Sequence, residues 1–179
     1  MIIVEKLITK NRQMKNRSSY RQLFRFIWFI VLISFVSCNL SKKDEDLEAT
    51  EELNIQKFLS DHDTIAFEKK TSGLYYYTYL AGTGPQAEAH DTAYVFYSMH
   101  YLSGQLFDTN IGTTDTIIFP INEGKLILGF EEGISYMREG GLSILVVPSK
   151  LAYGATGTYY ISPYTPFLFQ VELIKLKKH

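Results

Sequence analysis

Cysteine is nearly absent. Cys38 is the only one in 179 residues, which rules out an intramolecular disulfide framework. Histidine is scarce too. His62, His90, His100 and His179 are scattered and, beside a single thiol, show no metal-ligand spacing. The chain has no G-x-x-x-x-G-K-[ST], G-x-G-x-x-G or G-x-S-x-G segment, so neither a phosphate-cradling loop nor a nucleophile elbow is on offer. Neither charge dominates. Eighteen Lys and Arg face 19 Asp and Glu, and a net charge of −1 gives no general pull toward nucleic acid. On these grounds no metal, cofactor or nucleic-acid partner is expected.

What is plentiful is apolar and aromatic. Hydrophobic residues make up 46% and charged residues 21%, a globular composition with a core. The length suggests one domain plus appendages. Most of the 13 Tyr and 12 Phe follow residue 66, and glycines punctuate that portion, which points to β-structure rather than a helical bundle.

The N-terminal part reads as an address. Residues 14–25 carry Lys15, Arg17, Arg21 and Arg25 and no acid, and no charge occurs from Phe26 to Leu40. That apolar run falls short of the ~20 residues that span a bilayer comfortably. A basic stretch ahead of a short apolar one is the pattern of a secretory signal peptide, assigned here to residues 1–37, with Met14 a candidate start. The run ends in Phe35-Val36-Ser37-Cys38, which resembles a bacterial lipobox with Phe35 where Leu is usual. Acylation of Cys38 would hold the protein to the membrane, each buried methylene contributing ~0.8 kcal/mol. Residues 38–71 are then a lipidated cysteine and a tether. Ser41–Glu52 (S-K-K-D-E-D-L-E-A-T-E-E) is expected to be too charged to bury anything, while Leu53, Ile55, Phe58 and Leu59 suit one short amphipathic helix. The cluster Asp44-Glu45-Asp46 resembles the surface-export signal of Bacteroidota lipoproteins, while its plainer reading is a solvated linker. The implied location is the cell envelope, lipid-anchored to the outer membrane on its periplasmic or surface face.

From Leu74 the pattern is strands and turns. Leu74–Leu80 is a β-rich run that stops at Gly82-Thr83-Gly84-Pro85, and Ala93–Leu102 is a second strand closed by Ser103-Gly104. Leu142–Val147 is short and nearly all apolar. Leu168–Leu176 alternates, with Phe169, Val171 and Leu173 on one face and Gln170 and Glu172 on the other. One helix is predicted inside the domain, Phe130–Arg138, where Phe130, Ile134 and Met137 share a stripe and Gly140-Gly141 would end it. Antiparallel strands and one helix make an α+β architecture.

Six segments in order carry a resemblance. They are Gly104-Gln105-Leu106-Phe107-Asp108, Leu126–Gly133 (L-I-L-G-F-E-E-G), Met137-x-x-Gly140 followed by Val147-Pro148, Leu151-Ala152-Tyr153-Gly154, Ile161-Ser162-Pro163, and Leu168-Phe169-x-Val171-Glu172-Leu173. At these spacings the chain resembles the FKBP-type peptidyl-prolyl cis-trans isomerase family from about Ser72 to Lys177, giving a domain at 72–179. Phe130 stands where that family usually has Trp, Ser162 replaces the first Pro of I-P-P, and Thr158 or Tyr159 stands where some members have His. The resemblance implies an FKBP-like antiparallel sheet of about five strands wrapped around one short helix. It also implies a catalytic set of Tyr97, Phe107, Asp108, Ile127, Phe130 and Tyr153, with Leu126, Phe119, Ile161 and Phe169 as substrate-binding neighbours. Phe130 would be the pocket floor. Asp108 would sit at the rim and hydrogen-bond Tyr97 or substrate. The Ile127 N–H and the Tyr153 hydroxyl would engage substrate carbonyls, and residues 154–166, with Tyr159, Tyr160 and Tyr164, would form a flap. Without the resemblance, aromatics on strands are ordinarily core and an Asp at a strand end is ordinarily a turn residue. Ile117 and Phe119 read equally as pocket or core.

The reaction implied is rotation about X–Pro bonds, opposed by an ~18–20 kcal/mol barrier that comes from amide resonance. It requires no covalent intermediate. A site helps by binding the twisted amide better than the planar one. Expected partners are proline-containing clients and FKBP-type macrolide inhibitors. The alternative is a catalytically weak binding or chaperone module of an envelope or gliding-type machine.

Overall fold

The computed structural model describes residues 42–179, so the expected signal peptide and Cys38 lie outside the described residues. Asp46–His179 forms one compact unit. Its elements are helix α1 (42–61), β1 (Glu68–Lys69), β2 (Tyr75–Leu80), β3 (Thr92–Tyr101), β4 (Leu106–Thr109), β5 (Ile117–Pro120), α2 (Leu128–Ser135), β6 (Gly141–Val147), a 3₁₀ turn (Ser149–Leu151) and β7 (Phe167–Lys177). The antiparallel sheet runs β1-β2-β6-β7-β3-β4, and β5 also pairs with β3. An antiparallel sheet with the short helix α2 packed on it matches the expected α+β architecture. The strand count rises from about five to seven because β1 has two residues and because β4 and β5 share one edge of β3.

The four long strands fall within one residue or so of the sequence expectation. On β7, Phe167, Phe169, Val171 and Leu173 are buried and Gln170 and Glu172 exposed, the period-2 pattern of a sheet with one wet side. Their partner is β3, paired from Thr92↔Lys177 to Tyr101↔Phe167 with a register shift at Tyr94/Val95.

Helix α2 is displaced from its predicted span, Phe130–Arg138. It starts two residues earlier, where the Ile127 carbonyl accepts the N–H groups of Phe130 and Glu131. It stops at Ser135, well before Gly140-Gly141. The following backbone is claimed by a different partner: the Met137 carbonyl accepts the Ala87 N–H and the Gln86 side-chain amide, and Gln86 bridges Arg138. Met137 stays buried but outside the helix. Helix α2 lies hard against β6, since a Cβ on Gly129 would sit 2.5 Å from Val147 Cγ1 and one on Gly133 2.5 Å from Leu145 Cδ1. Glycine is needed there for close approach.

The expected tether differs most from what is found. Residues 42–61 are helical, and part of the stretch is packed. Ile55 and Phe58 form a second apolar cluster with Tyr75 and Val146, on the face of the sheet opposite the main core, while neighbouring Tyr76, Leu145 and Val147 belong to that core. Nor is Ser41–Glu52 too charged to bury anything. Glu51 is 7% exposed, because it lies one turn before Ile55 on the same face of α1 and meets hydrogen-bond donors there. The acids Asp44–Glu48 remain mostly in water.

Candidate active site

The main core opens on one side into a cavity of about 560 Å3. Tyr97 and Met99 reach it from β3, Asp108 from β4, Ile117 from β5 and Phe169 from β7, while Leu126, Ile127, Leu128 and Phe130 come from the start of α2. Ala152 and Tyr153 close it from the segment after the 3₁₀ turn, and Lys125 stands at its mouth. The strand contributions follow from pleating: Tyr97 and Met99 are two apart on β3, and Met99 faces Phe169 across the β3–β7 pair.

Phe130 is the floor. It is 3% exposed. Its ring meets Tyr97 edge-on at 5.7 Å and lies tilted against Phe169 at 5.3 Å and Phe119 at 6.0 Å. Leu126 is held in place by buried Glu131, which accepts the Leu126 N–H at 2.7 Å and the Gly124 N–H at 3.1 Å.

Few polar groups line this apolar surface. The Tyr97 hydroxyl donates to Asp108 Oδ2 at 2.5 Å, and Asp108 Oδ1 accepts the Thr109 N–H at 2.9 Å. The Tyr97 backbone is fixed by Asn110, whose Oδ1 accepts the Tyr97 N–H at 2.7 Å and whose Nδ2 donates to the Val95 carbonyl at 3.0 Å. Burial, then the hydrogen bond and charge of Asp108, push the Tyr97 hydroxyl far above the usual tyrosine range. Burial and the Asp108 charge also raise Tyr153. Both hydroxyls therefore stay protonated, hence donors, throughout the neutral range. The Tyr153 hydroxyl has no hydrogen-bond partner among the described residues, so it is free to donate to a ligand.

These raised pKa values have a testable sign. The neutral hydroxyl is favoured in the folded state, so this contribution to stability is present below about pH 10, the unfolded tyrosine value, and is lost as pH rises toward the higher folded values. Denaturant midpoints measured from pH 8 to 11 should fall at the alkaline end, and by less in Tyr97→Phe. Equal falls in both proteins would remove Tyr97 as the cause.

Seven of the ten residues implied by resemblance line one cavity: Tyr97, Asp108, Leu126, Ile127, Phe130, Tyr153 and Phe169. Three stand beside it. Phe107 is 36% exposed, and its ring meets Tyr101 and Phe167, each at 5.6 Å, in a cluster that reaches Tyr153 through Phe167. Phe119 is buried behind Phe130. Ile161 is buried in the core, because Thr158 folds its segment back: Thr158 Oγ1 accepts the N–H groups of Tyr160 and Ile161, and the Ile161 carbonyl accepts the Thr158 N–H. This turn leaves Tyr159 and Tyr160 93% and 81% exposed, and neither lines the cavity. Met99, Lys125, Leu128 and Ala152 also line the cavity without a role assigned from the sequence. Leu128 and Ala152 lie within the motif segments, whereas Met99 and Lys125 lie outside them and, as an ordinary aliphatic and a solvated residue, give no signal.

The family model "FKBP-type peptidyl-prolyl cis-trans isomerase" matches residues 84–174. Among curated relatives, the FKBP-type peptidyl-prolyl cis-trans isomerase FkpA of Buchnera aphidicola is 30% identical over 138 residues, covering 77% of this chain and 53% of its own. The chain spans about half the length of the curated relatives it matches first. Among solved structures, FkpA from Escherichia coli superposes with a TM-score of 0.66 at 29% identity, covering 79% of this chain and 64% of that one. A peptidyl-prolyl cis-trans isomerase from Pseudomonas syringae gives 0.62 at 27% identity, covering 75% of this chain and 96% of its own. The matched half of the chain holds Tyr97, Asp108, Phe130, Tyr153 and Phe169 around one cavity, and the chain belongs to the FKBP-type peptidyl-prolyl cis-trans isomerase family.

Proposed function

We propose that the protein is a peptidyl-prolyl cis-trans isomerase that accelerates X–Pro rotation in exported polypeptides at the cell envelope. The carrying observation is the Phe130-floored cavity, apolar at its base and polar only at its mouth. A prolyl ring fills such a base. Its amide then lies among Tyr97, Phe169 and Ile127, away from water. The planar amide is the more polar, resonance-stabilised form, so a dry site favours the twisted one. The Tyr153 hydroxyl and the Ile127 N–H hold carbonyls on either side of the rotating bond, and the Tyr97–Asp108 hydrogen bond keeps the wall rigid. No step needs a bond between protein and substrate.

Tyr153→Phe removes one hydrogen bond worth ~0.5–1.5 kcal/mol, so kcat/KM should fall by at most about tenfold with the fold unchanged. A peptide assay beside circular dichroism checks both. An unchanged rate would take the hydroxyl out of the mechanism. The cavity also suits an FKBP-type macrolide, and calorimetric titration with one tests the pocket without turnover.

The envelope location rests on the charge-free run that ends at Cys38. Acylated there, the protein is lipid-anchored to the outer membrane on its periplasmic or surface face, where exported clients fold. Cys38→Ala should move it from the membrane to the soluble fraction or block its processing, and should abolish labelling by a fatty-acid analogue. Equal membrane association and labelling in the variant would overturn the anchor.

A further inference from the structure

Glu51 lies on α1, outside the stretch matched by the family model, yet its carboxylate is spent on one residue beside the cavity. It accepts the Ser149 N–H at 2.5 Å and the Ser149 hydroxyl at 2.6 Å. Ser149 is itself buried, at 2% exposed. Its carbonyl in turn accepts the N–H groups of Ala152 and Gly154, both at 2.8 Å. Tyr153 is the residue between those two. Every polar group of Ser149 is thus engaged, its donors toward α1 and its acceptor toward the segment that carries Tyr153.

That segment is irregular. Ala152 is neither helical nor extended, at φ −125° and ψ −106°, and Gly154 is left-handed, at φ +65°. A regular element would hold its own dihedrals through repeated hydrogen bonds. Here two bonds to the Ser149 carbonyl hold the N–H groups on either side of Tyr153, while the Tyr153 and Gly154 carbonyls accept the Gly157 and Tyr164 N–H groups, so a shift of Ser149 is passed directly to Tyr153. The Ser149 N–H and hydroxyl donate only to Glu51 among the described residues, so removing that carboxylate leaves two buried donors to find new partners or stay unsatisfied.

We infer that Glu51 is a positioning residue for the Tyr153 hydroxyl, so that α1 belongs to the working site and not to the tether alone. The catalytic consequence rests on the isomerase reading, while the structural link does not, and the test separates them. In the full chain, Glu51→Ala should speed amide exchange at Ala152 and Gly154 about tenfold or more while β7 amides stay slow, as local opening requires. It should lower kcat/KM for an X–Pro peptide roughly three- to tenfold, and this loss should shrink to within about twofold in a Tyr153→Phe background, because two changes acting on one group do not multiply. Glu51→Gln keeps an acceptor for the Ser149 N–H and should recover most of both properties. If Glu51→Ala does not fold, Ser149→Ala, which removes only the hydroxyl donor, should give the same pattern at smaller size.

Unchanged exchange at Ala152 and Gly154 would overturn the inference, as would losses that multiply with Tyr153→Phe. Faster exchange in a chain whose wild type shows no turnover would sustain the link and sink the isomerase reading instead.

Discussion

Phe130→Ala is expected to destabilise the protein by about 3–5 kcal/mol and to abolish macrolide binding. The ring is 3% exposed and touches Tyr97, Phe119 and Phe169, so truncation forfeits its own burial and leaves a void among three aromatics. Those three cannot all collapse into it. Tyr97 is tied to Asp108 and Asn110, and Phe169 sits inside the β3–β7 pairing. The void merges with the cavity and removes the surface a prolyl ring would rest on. Urea titration reads the stability, and calorimetric titration below the unfolding transition reads the pocket. Phe130→Trp provides the contrast. Phe119 blocks growth on the far side, so the larger ring must extend into the cavity. Turnover should hold or rise, against an overpacking cost of ~1–3 kcal/mol. Full macrolide affinity in Phe130→Ala would mean that the floor lies elsewhere.

Asp108→Val should lower kcat/KM about tenfold while the unfolding midpoint moves little, since one charge-assisted hydrogen bond of ~1.5 kcal/mol at a wet rim corresponds to that factor. Asp108 is exposed, so its charge is screened and adds little to folding. Its acceptor role toward Tyr97 is not replaced, and Val leaves that half-buried hydroxyl without its partner at the edge of the cavity. Asp108→Asn separates charge from hydrogen bonding. Asn still accepts from Tyr97, so most of the rate should return if the role is to hold the ring. Continued loss in Asn would assign the effect to the charge. Wild-type turnover in Asp108→Val would remove the pair from the mechanism.

Much of the fold was legible because the local signals agreed. The alternation from Leu168 to Leu176 gave β7 nearly to the residue, and Leu142–Val147 gave β6. What the apolar run in β6 did not reveal was why it lacks alternation. Val146 faces α1 while Leu145 and Val147 face α2, so this strand is covered on both sides. Helix α1 was underestimated for the complementary reason. Composition made Ser41–Glu52 a solvated run, but one carboxylate that finds two donors is enough to bury Glu51. The end of α2 was missed because Gly140-Gly141 is a good local stop signal, whereas the actual stop is set by Gln86, about fifty residues earlier in the chain. Within the site, motif membership and cavity lining do not coincide: Tyr97 lies in none of the six segments yet lines the cavity. Phe107 and Ile161 lie in segments yet stand beside it, as does Phe119, because side-chain packing, which motif spacing does not encode, places them there.

The central claim is tested most directly by following cis-to-trans exchange of a short X-Pro-Phe or X-Pro-Leu peptide with and without the full protein. Unassisted exchange takes tens of seconds or more, so even modest acceleration is measurable. The expected result is a rate that rises in proportion to protein concentration, is suppressed by an FKBP-type macrolide and falls in Asp108→Val. No acceleration on any X–Pro peptide, together with no macrolide binding by a correctly folded chain, would contradict it.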